Sequence, residues 1–261
     1  MKKAAHRAAF FIYISTMSYA IITGGSKGIG KEIALQLAND GAQVVLHYNN
    51  NKQGAEDVVS LIKKQNGTAF LVQSDLSTGN LDQVAEKMMS EVLKQVSTID
   101  YLINNAADQT LDPEDPMDEE VMNSIMFTNV LAPQAIVKAC LNIFKPGSAI
   151  VNITSVEAEH PFPNHSLYAS SKAALTRYTE LAAVELAALG VRCNAVAPGL
   201  VNRDGLDKSW PEGVKKWNER SPIKRPVTAS EVAKTVSFLL SDEASGITGI
   251  SVSVDGGWSV A

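Results

Sequence analysis

Short apolar runs alternate with longer helix-periodic segments along nearly the whole chain, and that alternation leaves few folds open to it. Tyr19–Thr23, Gln43–His47, Ala69–Gln73, Tyr101–Asn104, Ser148–Ile153, Arg192–Ala197 and Ser251–Val254 read as strands. They are short, rich in Val and Ile, and bounded by Gly, Asn or Asp. Between them lie helical segments at Gly28–Asn39, Lys52–Gln65, Leu81–Val96, Asp118–Phe144, Leu167–Leu189 and Ala229–Leu240. Such alternation implies an α/β architecture, a doubly wound parallel sheet with helices on both faces. No linker, low-complexity stretch or repeat interrupts the pattern, so residues 17–261 read as a single domain. The least regular part, about 200–226, holds Trp210 and Trp217 and is too long for a simple connection; it reads as a flap over a site.

Charge and cysteine usage narrow the partners. A net charge of −5 argues against nucleic acid or an anionic membrane. Cys140 and Cys193 have no metal-ligand spacing and the four histidines do not cluster, so no metal is expected. Two reduced thiols suit a cytoplasmic protein. Residues 1–16 read as a disordered N-terminal extension, with Met17 as the natural start. Lys2, Lys3, His6 and Arg7 before the apolar Ala8–Ile14 resemble a weak secretory leader, but no clear A-x-A site follows. The stretch is also too short to span a bilayer.

Two motifs carry chemistry. Thr23-Gly-Gly-Ser-Lys-Gly-Ile-Gly30 follows the first strand and opens the first helix. Its small residues let the backbone approach a pyrophosphate, whose charge suits the free N–H groups of the helix start. A carboxylate at the end of the second strand would grip an adenosine ribose, yet none occurs until Glu56. Lys27 offers a positive charge to a 2′-phosphate, so NADP(H) is the preferred cofactor and NAD(H) a possible one. Asp75 falls at a strand's carboxyl end, placed either to bond an adenine or to cap the next segment. Asn104 reads as a stitch between strand ends.

The second motif is Tyr168-Ala-Ser-Ser-Lys172, with Ser155 thirteen residues before the tyrosine. Residues four apart share one helix face, where an ammonium can stabilise a phenolate. A serine nearby could hold a carbonyl oxygen. The set suits ketone reduction or alcohol oxidation once a hydride source binds alongside.

Together these residues resemble the short-chain dehydrogenase/reductase family, from Tyr19 to Trp258. The shared elements are T-G-x-x-x-G-x-G at 23–30, Asp75, N-N-A at 104–106, Asn129, Ser155, Tyr168 with Lys172, P-G at 198–199 and V-D-G-G at 254–257. The resemblance implies a Rossmann-type fold and an NADP(H)-dependent oxidoreductase interconverting a carbonyl and a secondary alcohol. It implies Tyr168 as general acid or base, Lys172 on its phenolate and the nicotinamide ribose, and Ser155 on the substrate oxygen. Asn129 would anchor a water that links Lys172 to solvent. Cofactor contacts would come from Gly24, Ser26, Lys27, Gly28, Ile29 and Gly30 of the loop, from Asp75 and Leu76, and from Asn105 and Ala106. Tyr168, Lys172, Pro198 and Gly199 would complete them. The chain departs from the pattern at Ala107, where glycine is usual, and at Arg203, where threonine is usual. Arg203 puts an amide contact to the nicotinamide in doubt.

Within the family the chain looks most like 3-oxoacyl-[acyl-carrier-protein] reductases and sugar or polyol dehydrogenases. The carrier protein is acidic and needs a basic dock. Here Val184, not the arginine common in such reductases, precedes Glu185. Asp112, Glu114, Asp115, Asp118, Glu119 and Glu120 crowd the expected pocket mouth with like charge. A small-molecule carbonyl or alcohol substrate is therefore favoured. Lys215, Lys216, Lys224 and Arg225 on the flap keep a carrier-bound substrate open, and a non-catalytic NADP(H)-binding regulator is the other alternative. A homotetramer is expected, from apolar stripes with Ile125, Val130, Ile136, Leu175, Leu181 and Leu186 on the two long helices.

Overall fold

In the computed structural model, seven strands are parallel throughout and run in the order β3-β2-β1-β4-β5-β6-β7. They are β1 Tyr19–Ile22, β2 Gln43–Tyr48, β3 Ala69–Gln73, β4 Ile99–Asn104, β5 Phe144–Ile153, β6 Arg192–Pro198 and β7 Ser251–Val254. The structure describes residues 18–113 and 118–261. The extension expected over 1–16, the start at Met17, and the carboxylates Glu114 and Asp115 lie outside the described residues.

The strands are apolar on both sides because helices cover both. Helices α1 Gly28–Asn39, α2 Lys52–Lys64 and α9 Ala229–Leu240 lie on one face. Ile33, Leu37, Val58, Ile62, Val236 and Leu240 pack there against Ala20, Ile22, Val44 and Leu46. Helices α3 Leu81–Val92, α5 Ala132–Cys140 and α6 Ser166–Glu185 take the other face, where Met88, Ile136, Cys140 and Leu186 meet Ile21, Val45 and Leu102. Neighbours in sequence, such as Ala20 and Ile21, thus serve opposite cores, as strand alternation requires. The strand order reverses beside β1, which opens a crevice at the carboxyl ends of β1 and β4.

The single helix expected over Asp118–Phe144 is three pieces. Helix α4 Glu119–Met126 is capped by Asp118, whose carboxylate accepts from the amides of Glu120 and Val121. A π-helical turn follows at Phe127–Leu131, and α5 then ends at Cys140. Pro133 cannot donate to the carbonyl of Asn129 four residues earlier, so the regular ladder breaks there. Phe144 belongs to β5.

The segment beyond β6 carries two helices, α7 Leu206–Ser209 and α8 Pro211–Arg220. Its ends are tied by a bridge between Val201 and Val227, with the Asn202 amide donating to the Val227 carbonyl at 2.7 Å. Trp217 is buried and stacks on Trp258 with ring centroids 4.8 Å apart; Phe162 stacks on the far side of the cluster at 5.2 Å from Trp258. Trp217 is thus packed into this aromatic cluster in the structure. Among the described residues, no helix is long and apolar enough to cross a membrane.

Candidate active site

The glycine loop turns from β1 into α1. A side-chain carbon on Gly30 would collide with the Gly24 carbonyl and the Asn105 amide, so the helix can start here only with glycine. Gly28 has φ +56° and faces open space, so its surface is available for close approach. Lys27 precedes the first turn of α1, is exposed, and makes no ion pair among the described residues.

Two side chains hold that loop. Asn105 donates its amide to the carbonyls of Thr23 (2.8 Å) and Gly24 (3.0 Å). The amides of Asn105 and Ala106 in turn donate to the Thr23 hydroxyl. The Nδ2 group of Asn105 is thus committed to the loop itself. His47, at the end of β2, was not expected in this role. Its Nδ1 accepts from the Gly24 amide at 3.2 Å, and its Nε2 lies 3.1 Å from the Ser74 carbonyl. Nδ1 as acceptor requires Nε2–H as donor, so the ring is neutral. Burial agrees, pushing its pKa down to about 4. One buried imidazole thereby joins the loops after β1 and β3.

Asp75 behaves as a turn cap, its Oδ1 accepting from the amide and hydroxyl of Ser77 and from Asn49. Hydrogen bonds from Ser77 hold its carboxyl below the usual range. The side chain of Leu76 is buried in the core beneath. Asn104 does stitch strands, donating to Asn152 Oδ1 at 2.8 Å.

Ser155 follows β5, and Tyr168 and Lys172 lie on α6. All three are buried. The Ser155 hydroxyl accepts from the Glu157 amide at 3.1 Å, and the Tyr168 hydroxyl accepts from Gln109 Nε2 at 3.3 Å. Lys172 Nζ lies 5.6 Å from the tyrosine ring centre but donates to the Ile153 carbonyl at 2.9 Å. Burial pushes Lys172 down to about 7 and Tyr168 up to about 12, the latter helped by the nearby Glu157 carboxylate. The protein's own groups therefore favour the protonated phenol. The ammonium expected to stabilise a phenolate is itself weakened by the burial that brings it there.

Asn129 is fully buried within the π turn. Its carbonyl oxygen Oδ1 accepts from the Asp108 amide at 2.7 Å, and its Nδ2 donates to the Asp108 carbonyl at 2.8 Å and to the Ser171 hydroxyl at 2.9 Å. The side chain clamps the loop after β4 to α6. Pro198 ends β6 and Gly199 follows it, against the Trp217 ring. Arg203 is exposed and makes no ion pair among the described residues.

Glycine cradle, tyrosine, lysine and serine all sit at the carboxyl ends of the parallel strands. A sequence profile of the family described as Enoyl-(Acyl carrier protein) reductase matches residues 24–259. The chain belongs to the short-chain dehydrogenase/reductase family. Among curated members of this family, the 3-oxoacyl-[acyl-carrier-protein] reductase FabG of Staphylococcus epidermidis is 36% identical over 240 residues, 91% of this chain and 97% of that protein. Glucose 1-dehydrogenase 2 of Bacillus subtilis is 32% identical over 244 residues, 91% of this chain and 93% of that protein. The angucycline C-6 ketoreductase LanV, solved with bound NADP, superposes with a TM-score of 0.86 at 28% identity, over 94% of this chain and 96% of that one. The promiscuous reductase LugOII, which performs a keto-reduction in lugdunomycin biosynthesis, gives 0.86 at 32% identity, over 93% and 98%.

Several functional-site neighbours of this short-chain dehydrogenase/reductase escape a reading of its motifs. His47, Gln109, Glu157 and His165 stand outside the family pattern. Only the contacts of the folded chain reveal them.

Proposed function

We propose that this protein is an NADP(H)-dependent reductase of small-molecule carbonyls, working reversibly on secondary alcohols. The observation that carries this is the joint burial of Ser155, Tyr168 and Lys172 at the carboxyl end of β5, with Lys172 donating to the Ile153 carbonyl and Gln109 to the Tyr168 hydroxyl. The open face of Gly28 fits a pyrophosphate, as do the N–H groups at the start of α1. Gly24, Ser26, Gly28, Ile29 and Gly30 would hold it, with Asp75, Leu76, Ala106, Pro198 and Gly199 along the rest of the cofactor. Nicotinamide, when bound, supplies the hydride.

The protein's own part is proton delivery and orientation. Ser155 donates a hydrogen bond to the substrate carbonyl oxygen, and Tyr168 donates the proton that oxygen needs. A phenol near 12 is fully protonated at neutral pH, which suits reduction. Lys172 holds the nicotinamide ribose and, once protonated, eases loss of the Tyr168 proton. Asn129 keeps the surrounding loop in place, and its backbone carbonyl, spared by Pro133, is the acceptor for a water behind Lys172. NADPH consumption against a panel of ketones, quinones and sugars tests the reading. No turnover of any of them would favour a non-catalytic NADP(H)-binding regulator.

Small substrates are favoured over carrier-bound ones. Asp112 lies at the start of α6 and Asp118, Glu119 and Glu120 at the start of α4, an acidic set unfavourable to an acidic carrier, and Val184 is exposed where a basic dock would help. The flap lysines Lys215 and Lys224 border a groove together with Asp207 and Glu219, so its charge is mixed.

Lys27 should set cofactor choice. NADPH is expected to bind more tightly than NADH, and Lys27→Glu should weaken NADPH by about tenfold, equivalent to about 1.4 kcal/mol. NADH should change far less. Fluorescence titration of both cofactors measures this, and equal losses would sink the assignment.

The site also belongs to an assembly in this reading, a cytoplasmic homotetramer. Of the six residues expected on an intersubunit stripe, Ile125, Val130, Ile136, Leu175 and Leu186 are buried in the subunit itself. Leu181 remains exposed, joined on α5 and α6 and their ends by Leu131, Leu141 and Val184. That smaller apolar face is the one proposed to pair across a two-fold axis. Light scattering is expected to give four subunits, and a stable monomer at micromolar concentration would refute it.

A further inference from the structure

The loop after β4 is held far more tightly than an exposed connection needs. Asn129 grips both backbone groups of Asp108. The Asp108 carboxylate accepts from the amide and hydroxyl of Thr110 and from the Ser124 hydroxyl. Asp112 accepts from the amides of Ser166 and Leu167 at the start of α6. Between these anchors stands Gln109, itself exposed, whose Nε2 donates to the Tyr168 hydroxyl at 3.3 Å. On the Ser155 side, Glu157 is part-buried, and its Oε2 lies 2.8 Å from His165 Nδ1. The His165 ring also packs edge-on against Tyr168. A carboxamide bonded to the Tyr168 hydroxyl, and the Glu157 carboxylate, bonded to His165 and two residues beyond Ser155, therefore stand beside the hydroxyls that would receive a substrate oxygen.

We infer that Gln109 and the Glu157–His165 pair form a subsite for a hydroxyl group next to the reacting carbon, so that the substrate is a neutral hydroxy-ketone or the matching diol. The inference rests on the carbonyl–alcohol reading of the same site. A carboxamide offers both a donor and an acceptor, which matches a hydroxyl's own pair. A carboxylate held by an imidazole accepts a hydroxyl proton and repels an anionic group in the same place. A simple ketone would leave both side chains without the partner that a neighbouring hydroxyl supplies. Sites built to bond a hydroxyl discriminate strongly against analogues lacking it.

Acetoin and butanone differ by one hydroxyl next to the carbonyl and make the direct test, with NADPH as reductant. Wild-type kcat/KM is expected to favour acetoin by at least about tenfold. Gln109→Leu should cut acetoin reduction at least fivefold more than butanone reduction, roughly collapsing the preference, while NADPH affinity by fluorescence stays as in wild type. Acetoacetate, with an anionic group on the same side, should be a poor substrate that Glu157→Gln improves severalfold. Equal turnover of acetoin and butanone by wild type, or an unchanged preference in Gln109→Leu, overturns the subsite while leaving carbonyl reduction intact. A wild-type enzyme that reduces neither of these, nor any other carbonyl in a wider panel, overturns the underlying activity as well.

Discussion

Tyr168→Phe is expected to lower kcat by at least about a thousandfold while NADPH binds almost as before, because a positioned proton donor contributes about 10²–10⁴ and the phenyl ring has no proton to give. The fold should survive. Tyr168 packs in a buried position that phenylalanine fills equally well, and its hydroxyl's neighbours are not stranded: Ser155 still accepts from the Glu157 amide, and Gln109 is exposed. The lost hydrogen bond should cost about 1 kcal/mol of stability. Steady-state rates with a fluorescence titration of NADPH decide the matter. Wild-type-like turnover in this variant would remove Tyr168 from the chemistry. Loss of cofactor binding with loss of rate would instead point to a structural role for the hydroxyl.

A second large effect is expected at Asn129, on stability as much as on rate. Leucine has the same number of side-chain heavy atoms but is bulkier, and it strands the amide and carbonyl of Asp108 in a part-buried contact, while the Ser171 hydroxyl keeps its bond to the Tyr168 carbonyl. Each unpaired group costs about 1–3 kcal/mol, so a loss of about 3–5 kcal/mol is expected, or about 10 °C in Tm. Turnover should fall further than folding accounts for, because the same clamp steadies Gln109 beside the Tyr168 hydroxyl. Thermal melts and rates measured well below the transition separate the two contributions. An unchanged melting temperature would show that the loop after β4 does not depend on the clamp.

Much of this protein is written in short-range patterns, and those patterns could be read directly. The alternation of strand and helix follows from local periodicity, so the parallel sheet and its helical layers were legible from Tyr19 to Val254. Gly28 and Gly30 announced a close-approach turn because only glycine meets its backbone and steric demands. Tyr168 and Lys172 share a helix face by their spacing alone. The break at Asn129 was also within reach, since Pro133 stands in the sequence; the apolar periodicity across 118–144 concealed it.

What only the tertiary structure decided depends on partners distant in the chain. His47 finds Gly24 and Ser74, Asn129 finds Asp108 and Ser171, and Gln109 finds Tyr168, at separations of 21 to 59 residues. No period or propensity encodes such pairs, because they require several strands to be in register before the donors and acceptors meet. Trp217 illustrates the same limit from the apolar side: a tryptophan on an irregular segment can cover a ligand or anchor a loop, and its stack on Trp258 appears only in the tertiary structure. Charge states follow suit. The pairing of Tyr168 with Lys172 came from spacing, but their opposite displacements, up to about 12 and down to about 7, arise from burial, which exists only once the sheet and α6 have closed around them.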